Sequence, residues 1–170
     1  MNKIHKIQDL LRELNSSEIQ SFPPILKRLD LDSSELKAYE SWDKQDYSRN
    51  CIEKNDRYEL LLLCWNPGDR TPIHNHGGQR CWVYQISGEI EEIRFDTSDS
   101  EPREIYRQTL KPNQLTYIDD AMACHVLANP GVVRSVSIHV YAAPIENCDI
   151  YNAEKKCFEA KELAYDTFNE

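Results

Sequence analysis

From Tyr47 onward the chain is written in short apolar runs broken by turn residues, and this texture limits its fold more than any other feature. The runs Tyr58–Trp65, Cys81–Ile86, Ile90–Phe95 and Val132–Tyr141 are punctuated by Asn66-Pro67-Gly68, Ser87-Gly88 and Lys111-Pro112-Asn113. Such runs, bounded by glycine, proline and asparagine, read as strands. Many short strands at close spacing predict an all-β sandwich or barrel.

The first 40 or so residues have a different period. Ile4, Ile7, Leu11 and Leu14 recur at spacings of three and four, which predicts one face of a helix. Pro23-Pro24 opens a second short helix carrying Ile25, Leu26 and Leu29, since proline is tolerated in a first turn. Asp32 and Glu35 fit a capping box for a third, through Leu36 and Tyr39. No internal repeat, low-complexity tract or linker interrupts the chain. The expectation is a single domain over 1–170, with a helical cap at 1–45, a barrel core at 46–145 and a C-terminal extension at 146–170.

The 29 acids outnumber the 20 bases, giving a net charge of −9 with no basic cluster. Phosphate backbones would be repelled, which argues against a nucleic-acid partner. No apolar run approaches the roughly 20 residues of a membrane helix. Met1–Lys6 leads into an amphipathic stretch rather than the apolar core of a signal peptide, so a cytoplasmic protein is expected. The six cysteines form no C-x-x-C and have no secretory setting, which argues against a disulfide framework. Cys51, Cys64, Cys124, Cys148 and Cys157 read as buried thiols acting as small hydrophobes. Cys81 is set apart by its neighbours.

Those neighbours are His74 and His76. Alternate residues on a strand face the same way, so the pair can present two imidazoles to one ion. Alone, it reads equally well as two exposed histidines beside a turn. The frame around it runs Gly68, five residues, His74, one residue, His76, four residues, Cys81, six residues, Gly88. Further on, His125 is followed after three residues by Asn129. The last run ends in Ser137-Ile138-His139-Val140-Tyr141, placing three polar groups on one face and β-branched groups on the other. If the polar face lines a barrel interior, a hydroxyl–imidazole–phenol hydrogen-bond chain results. A half-buried strand turned to solvent would explain the alternation as well.

The Gly68–Gly88 frame resembles the first cupin motif, with Cys81 where the glutamate usually stands. His125 and Asn129 match the end of the second motif, while Asp120 and Met122 replace its proline and glycine. Over about Tyr47 to Pro144 the chain more closely resembles the cysteine dioxygenases, thiol dioxygenases of the cupin fold. This resemblance implies a double-stranded β-helix barrel with a metal inside, behind a short helical N-terminal cap. It also implies His74, His76 and His125 as ligands of ferrous iron, and Ser137, His139 and Tyr141 as a catalytic relay. Cys81 matches the cysteine that forms a thioether with the tyrosine corresponding to Tyr141. Tyr47-Ser48-Arg49-Asn50 matches the family's tyrosine-x-arginine-asparagine, making Tyr47 and Arg49 substrate-binding, and Leu63 and Trp65 fall where its substrate pocket is lined. Gly77-Gly78 is expected to turn the chain from the ligands to Cys81. Ala142-Ala143 replace the serine–proline, joined by a cis bond, that follows the tyrosine in animal members.

Three neutral imidazoles leave the charge of a divalent ion unbalanced, which favours an anionic ligand such as a thiolate. Imidazole suits zinc, copper, iron or nickel, so the ligands alone do not name the metal. A guanidinium grips a carboxylate in bidentate fashion. Family members that prefer 3-mercaptopropionate carry glutamine at the Arg49 position, so Arg49 points to L-cysteine. The implied activity converts L-cysteine and O2 to L-cysteine sulfinate, a step of cysteine catabolism, in a monomer. Three rival readings stand beside it: another small thiol such as 3-mercaptopropionate, a non-catalytic cupin that binds a metal or small molecule, and a zinc hydrolase on three histidines.

Overall fold

The computed structural model describes residues 2–99 and 101–168. The N-terminal segment holds α1 (Ile7–Ser16), a 3-10 turn at Ile19–Ser21, α2 (Phe22–Leu26) and α3 (Ser33–Lys37). Helix α1 buries Ile7, Leu10 and Leu14. Ile4 lies outside it, bridged in parallel to Leu29, and Leu11 is only half-buried. The expected stripe is therefore rotated onto Leu10. Prolines occupy the first turn of α2, as expected. The capping box of α3 does not form: the Asp32 side chain makes no cap hydrogen bond. Glu35 instead accepts the Ile7 amide at 3.2 Å, satisfying one of the orphan N–H groups that open α1. Tertiary packing has moved a local cap onto a distant helix.

The strands are β1 (Ser48–Lys54), β2 (Tyr58–Trp65), β3 (Cys81–Ser87), β4 (Ile90–Asp96), β5 (Arg103–Leu110) and β6 (Leu115–Ile118), followed by β7 (Cys124–Ala128), β8 (Ser135–Ala142), β9 (Asn147–Asn152), β10 (Cys157–Glu162) and β11 (Thr167–Phe168). The last predicted run begins later than expected, because Gly131–Val133 form an exposed bend and Arg134 only leads into the strand. Six strands make one sheet in the order β11-β1-β2-β8-β3-β6. Facing it stand β5-β4-β7 and the β9-β10 pair. The stretch between β2 and β3 stitches these two together through single bridges: Arg70 to Ala128, and His74 to both His125 and Ile150.

The alternation of β2 and β8 sorts two cores. Leu60, Leu62, Ile138 and Val140 face outward, yet they are buried beneath the N-terminal helices, against Leu10, Phe22 and Leu26. Leu61, Leu63 and Val83 face inward and meet Ile90 and Leu127 from the opposite sheet. All eight residues of β8 are buried, so its polar face lines the barrel interior rather than solvent. Residues 147–168 contribute barrel structure: β9 bridges to His74, and β11 pairs in parallel with β1 through Asn50 and Thr167. Among the cysteines, Cys51, Cys64 and Cys148 are buried as expected, whereas Cys124 is half-buried and Cys157 exposed on the β9-β10 hairpin. Among the described residues, no helix is long and apolar enough to cross a membrane.

Candidate metal centre

His74, His76 and His125 converge: one ring nitrogen from each lies within 4.8 Å of the others. His125 comes from β7, whereas His74 and His76 come from a bridged segment rather than a regular strand. Their alternation nevertheless points both rings the same way. Gly77 and Gly78 then turn the chain, both at positive φ (58° and 82°). A Cβ on Gly77 would stand 2.5 Å from the Asn147 carbonyl oxygen, so no other residue fits there without displacement.

Each ligand ring is held through its Nδ1. His74 Nδ1 lies 3.0 Å from the Pro72 carbonyl, His76 Nδ1 3.2 Å from Asp120, and His125 Nδ1 3.1 Å from Glu92. Acceptors at every Nδ1 place the hydrogen there and leave the Nε2 lone pair free, which is how outer groups orient metal-binding histidines. His76 Nε2 and His125 Nε2 then face each other at 3.1 Å. Two acceptor nitrogens so close repel unless a cation sits beside them. A proton is a poor candidate: burial, with the neighbouring imidazoles, lowers His74 well below its ordinary range. Burial likewise lowers His125, against the opposing pull of Glu92. The donor set fits a metal ion.

Two of the holding groups were not expected. Glu92 is wholly buried; burial disfavours its charge, but His125, Arg94 and Gln108 outweigh that and keep it a carboxylate. Asp120, noted only as a departure from the cupin motif, accepts the His76 and Gly78 amides at 2.6 Å each as well as the His76 ring. The divalent charge is thus less bare than three imidazoles suggest, although Arg94 at 3.1 Å offsets Glu92.

A cavity opens on the histidines. Its wall includes Tyr47, Arg49, Leu63, His139, Tyr141 and Leu163. Arg49 is 8 % exposed; its Nη1 donates to the Ala164 carbonyl at 3.4 Å, and its Nη2 is buried without a partner. Trp65 does not line this cavity. It stacks behind Tyr47 with ring centroids 4.7 Å apart and donates its indole N–H to Ser137 Oγ at 3.0 Å. Ser137 Oγ in turn lies 2.9 Å from His139 Nε2.

The expected relay stops there. The rings of His139 and Tyr141 have centroids 6.4 Å apart, and no hydrogen bond joins them among the described residues. Same-face neighbours on one strand start roughly 7 Å apart, whereas directly paired residues on adjacent strands are closer. Tyr141 instead stands directly opposite Cys81, its register partner on β3, and the two groups are close enough to perturb each other's ionisation. Burial raises both groups, so thiol and phenol stay un-ionised at neutral pH. The peptide after Tyr141 is trans, since the described residues contain no cis bond; Ala143 takes φ 76° there instead.

The model of the cysteine dioxygenase type I family matches residues 1–154 of this sequence. The chain belongs to that family. A cysteine dioxygenase type 1 from Rattus norvegicus is 29 % identical over 145 residues, covering 82 % of this chain and 71 % of that protein. The Homo sapiens cysteine dioxygenase type 1 is 28 % identical over the same shares. A Klebsiella pneumoniae protein with a double-stranded β-helix domain superposes with a TM-score of 0.55 at 16 % identity, covering 75 % of this chain and 95 % of its own. The architecture is therefore the cupin barrel. Family membership and the three-histidine cluster make this chain a metal-binding thiol dioxygenase of the cysteine dioxygenase type.

Proposed function

We propose that this cysteine dioxygenase family member oxidises L-cysteine with O2 to L-cysteine sulfinate. The thiol RSH and O2 give RSO2− and a proton, with both oxygen atoms on sulfur. Ferrous iron is the proposed metal, held by His74, His76 and His125; when bound it supplies the activation of dioxygen and of the substrate thiolate. The observation that carries the substrate assignment is Arg49 Nη2, a buried cationic donor without a partner, in the wall of the cavity on which His74 and His125 open. A buried unpaired donor is costly, and a substrate carboxylate would satisfy it.

In this reading Arg49 orients the carboxylate, with Tyr47 at its side. Leu63, Leu127 and Ile145 exclude water from the cavity. Ser137, fixed by Trp65, holds the His139 ring against the cavity wall. Tyr141 directs its hydroxyl toward substrate from a position shared with Cys81. The pair is proposed to join as a thioether at the ring carbon beside the hydroxyl, with the two displaced hydrogens and their electrons going to dioxygen. That linkage reads out as an intact mass short by two hydrogens.

The deciding experiment is an aerobic assay of the iron-loaded protein with L-cysteine, in which mass spectrometry finds the substrate carrying two added oxygen atoms. Turnover of 3-mercaptopropionate in preference to L-cysteine would overturn the substrate assignment. Failure to turn over any thiol after ferrous loading would favour a non-catalytic binding cupin.

A further inference from the structure

Glu59 is a buried acid that neither the metal centre nor the cavity wall uses. It stands on the inward face of β2, with no accessible surface, and its register partner on β8 is Tyr141. Cys81 follows on β3, so a carboxyl, a phenol and a thiol form one row across three adjacent strands. One Glu59 oxygen, Oε2, has no partner; the other, Oε1, accepts the Tyr165 hydroxyl.

Tyr165 belongs to the irregular stretch between β10 and β11, which borders the cavity through Leu163. Alternate side chains of this stretch turn inward: Leu163 lines the cavity and Tyr165 reaches Glu59, while Ala164 and Asp166 are exposed. The stretch is bound to Arg49 at three points. Arg49 donates its amide to the Asp166 carboxylate at 2.8 Å, accepts the Asp166 amide at 2.8 Å and gives Nη1 to the Ala164 carbonyl. The Arg49 guanidinium and the Lys54 ammonium lie 5.8 and 5.6 Å from the Tyr165 ring centroid, within range of a cation–π contact. A direct Glu59–Arg49 ion pair would consume the bidentate face that a carboxylate ligand needs. Among the described residues no such pair exists, and the Tyr165 ring links the two groups instead.

We propose that Glu59 is a positioning residue: by holding the Tyr165 hydroxyl it clamps the stretch around residues 163–166 against the cavity wall, and the clamped stretch presents Arg49 to the carboxylate of the substrate. This rests on the reading of Arg49 given under Proposed function. Burial raises the Glu59 carboxyl, against the pull of Tyr165 and Arg49, so an acid is kept in a place where a neutral side chain would be cheaper.

The test compares Glu59→Ala, Glu59→Gln and Tyr165→Phe with the parent protein, using L-cysteine and cysteamine, an aminothiol without a carboxylate. Glu59→Ala and Tyr165→Phe are expected to raise KM for L-cysteine about tenfold, equivalent to about 1.4 kcal/mol of binding, with kcat within about twofold. Their kinetics with cysteamine are expected to match the parent. Glu59→Gln, which keeps an acceptor for Tyr165, is expected to restore most of the L-cysteine affinity. In the metal-free protein, trypsin is expected to cut faster after Lys161 in Tyr165→Phe, a conservative change that leaves the core intact. Unchanged KM for L-cysteine in Glu59→Ala and Tyr165→Phe, with Arg49→Gln raising it, would overturn the clamp alone. Equal losses with both thiols would also overturn it, because a general disturbance does not distinguish a carboxylate. Unchanged L-cysteine kinetics in Arg49→Gln would overturn the reading on which the clamp rests.

Discussion

Three imidazoles become one donor set only because each has its other nitrogen engaged by a different acceptor. Asp120 does most for its ring, since it also takes the amides of His76 and Gly78. Asp120→Asn keeps the shape but loses the charge and part of the acceptor capacity. Metal affinity is expected to fall about 10–100-fold, the usual cost of altering such an outer group, with the fold unchanged. Competition against a graded chelator, followed by metal analysis, measures it; equal retention would remove Asp120 from the site. The three histidines were legible as a set through the family resemblance, and the departure at Asp120 was visible in the motif. Its task was not, because 44 residues separate it from His76. Glu92 gave no signal at all: Glu91 and Glu92 stand side by side, and only the pairing of β4 with β7 turns Glu92 toward His125.

The elements divide between those whose pattern is local and those that depend on a neighbour. Strand β2 was plain from its apolar run, the end of β8 from its alternation, and the Gly77-Gly78 turn from its composition. Gly77→Ala meets both a positive φ and the Asn147 oxygen, whereas Gly78→Ala meets a positive φ with open space around it. Gly77→Ala is therefore expected to cost more, by about 1–3 kcal/mol for the added clash, and to weaken metal binding because the turn follows directly on His76. Paired thermal melts of the two variants check this, and similar melting temperatures would remove the steric argument. The capping box at Asp32 and Glu35 failed for a reason of the same kind. Glu35 had a better partner in the Ile7 amide, 28 residues away, than any local pattern displays.

At the scale of the whole molecule, the helical cap is what allows β8 to be buried on both faces. Without residues 1–45, Leu60, Leu62, Trp82, Tyr84, Ile138 and Val140 would form one apolar outer surface. Burying six such side chains stabilises on the order of 10 kcal/mol. This is comparable to the roughly 5–15 kcal/mol that holds a typical domain together. A chain lacking 1–45 is expected to be insoluble, or to lose the near-ultraviolet signal of packed aromatics; a soluble fragment with a cooperative melt would contradict this. The sequence by itself determined the β texture, the helical cap and the residues of the metal centre, because periodicity and motif spacing are local properties of the chain. Only the tertiary structure decided that the polar face of β8 turns inward, that no hydrogen bond joins His139 to Tyr141 among the described residues, and that β9 and the stretch beyond β10 complete the site. Those outcomes depend on register between strands far apart in sequence, and register is settled by which faces find something to pack against.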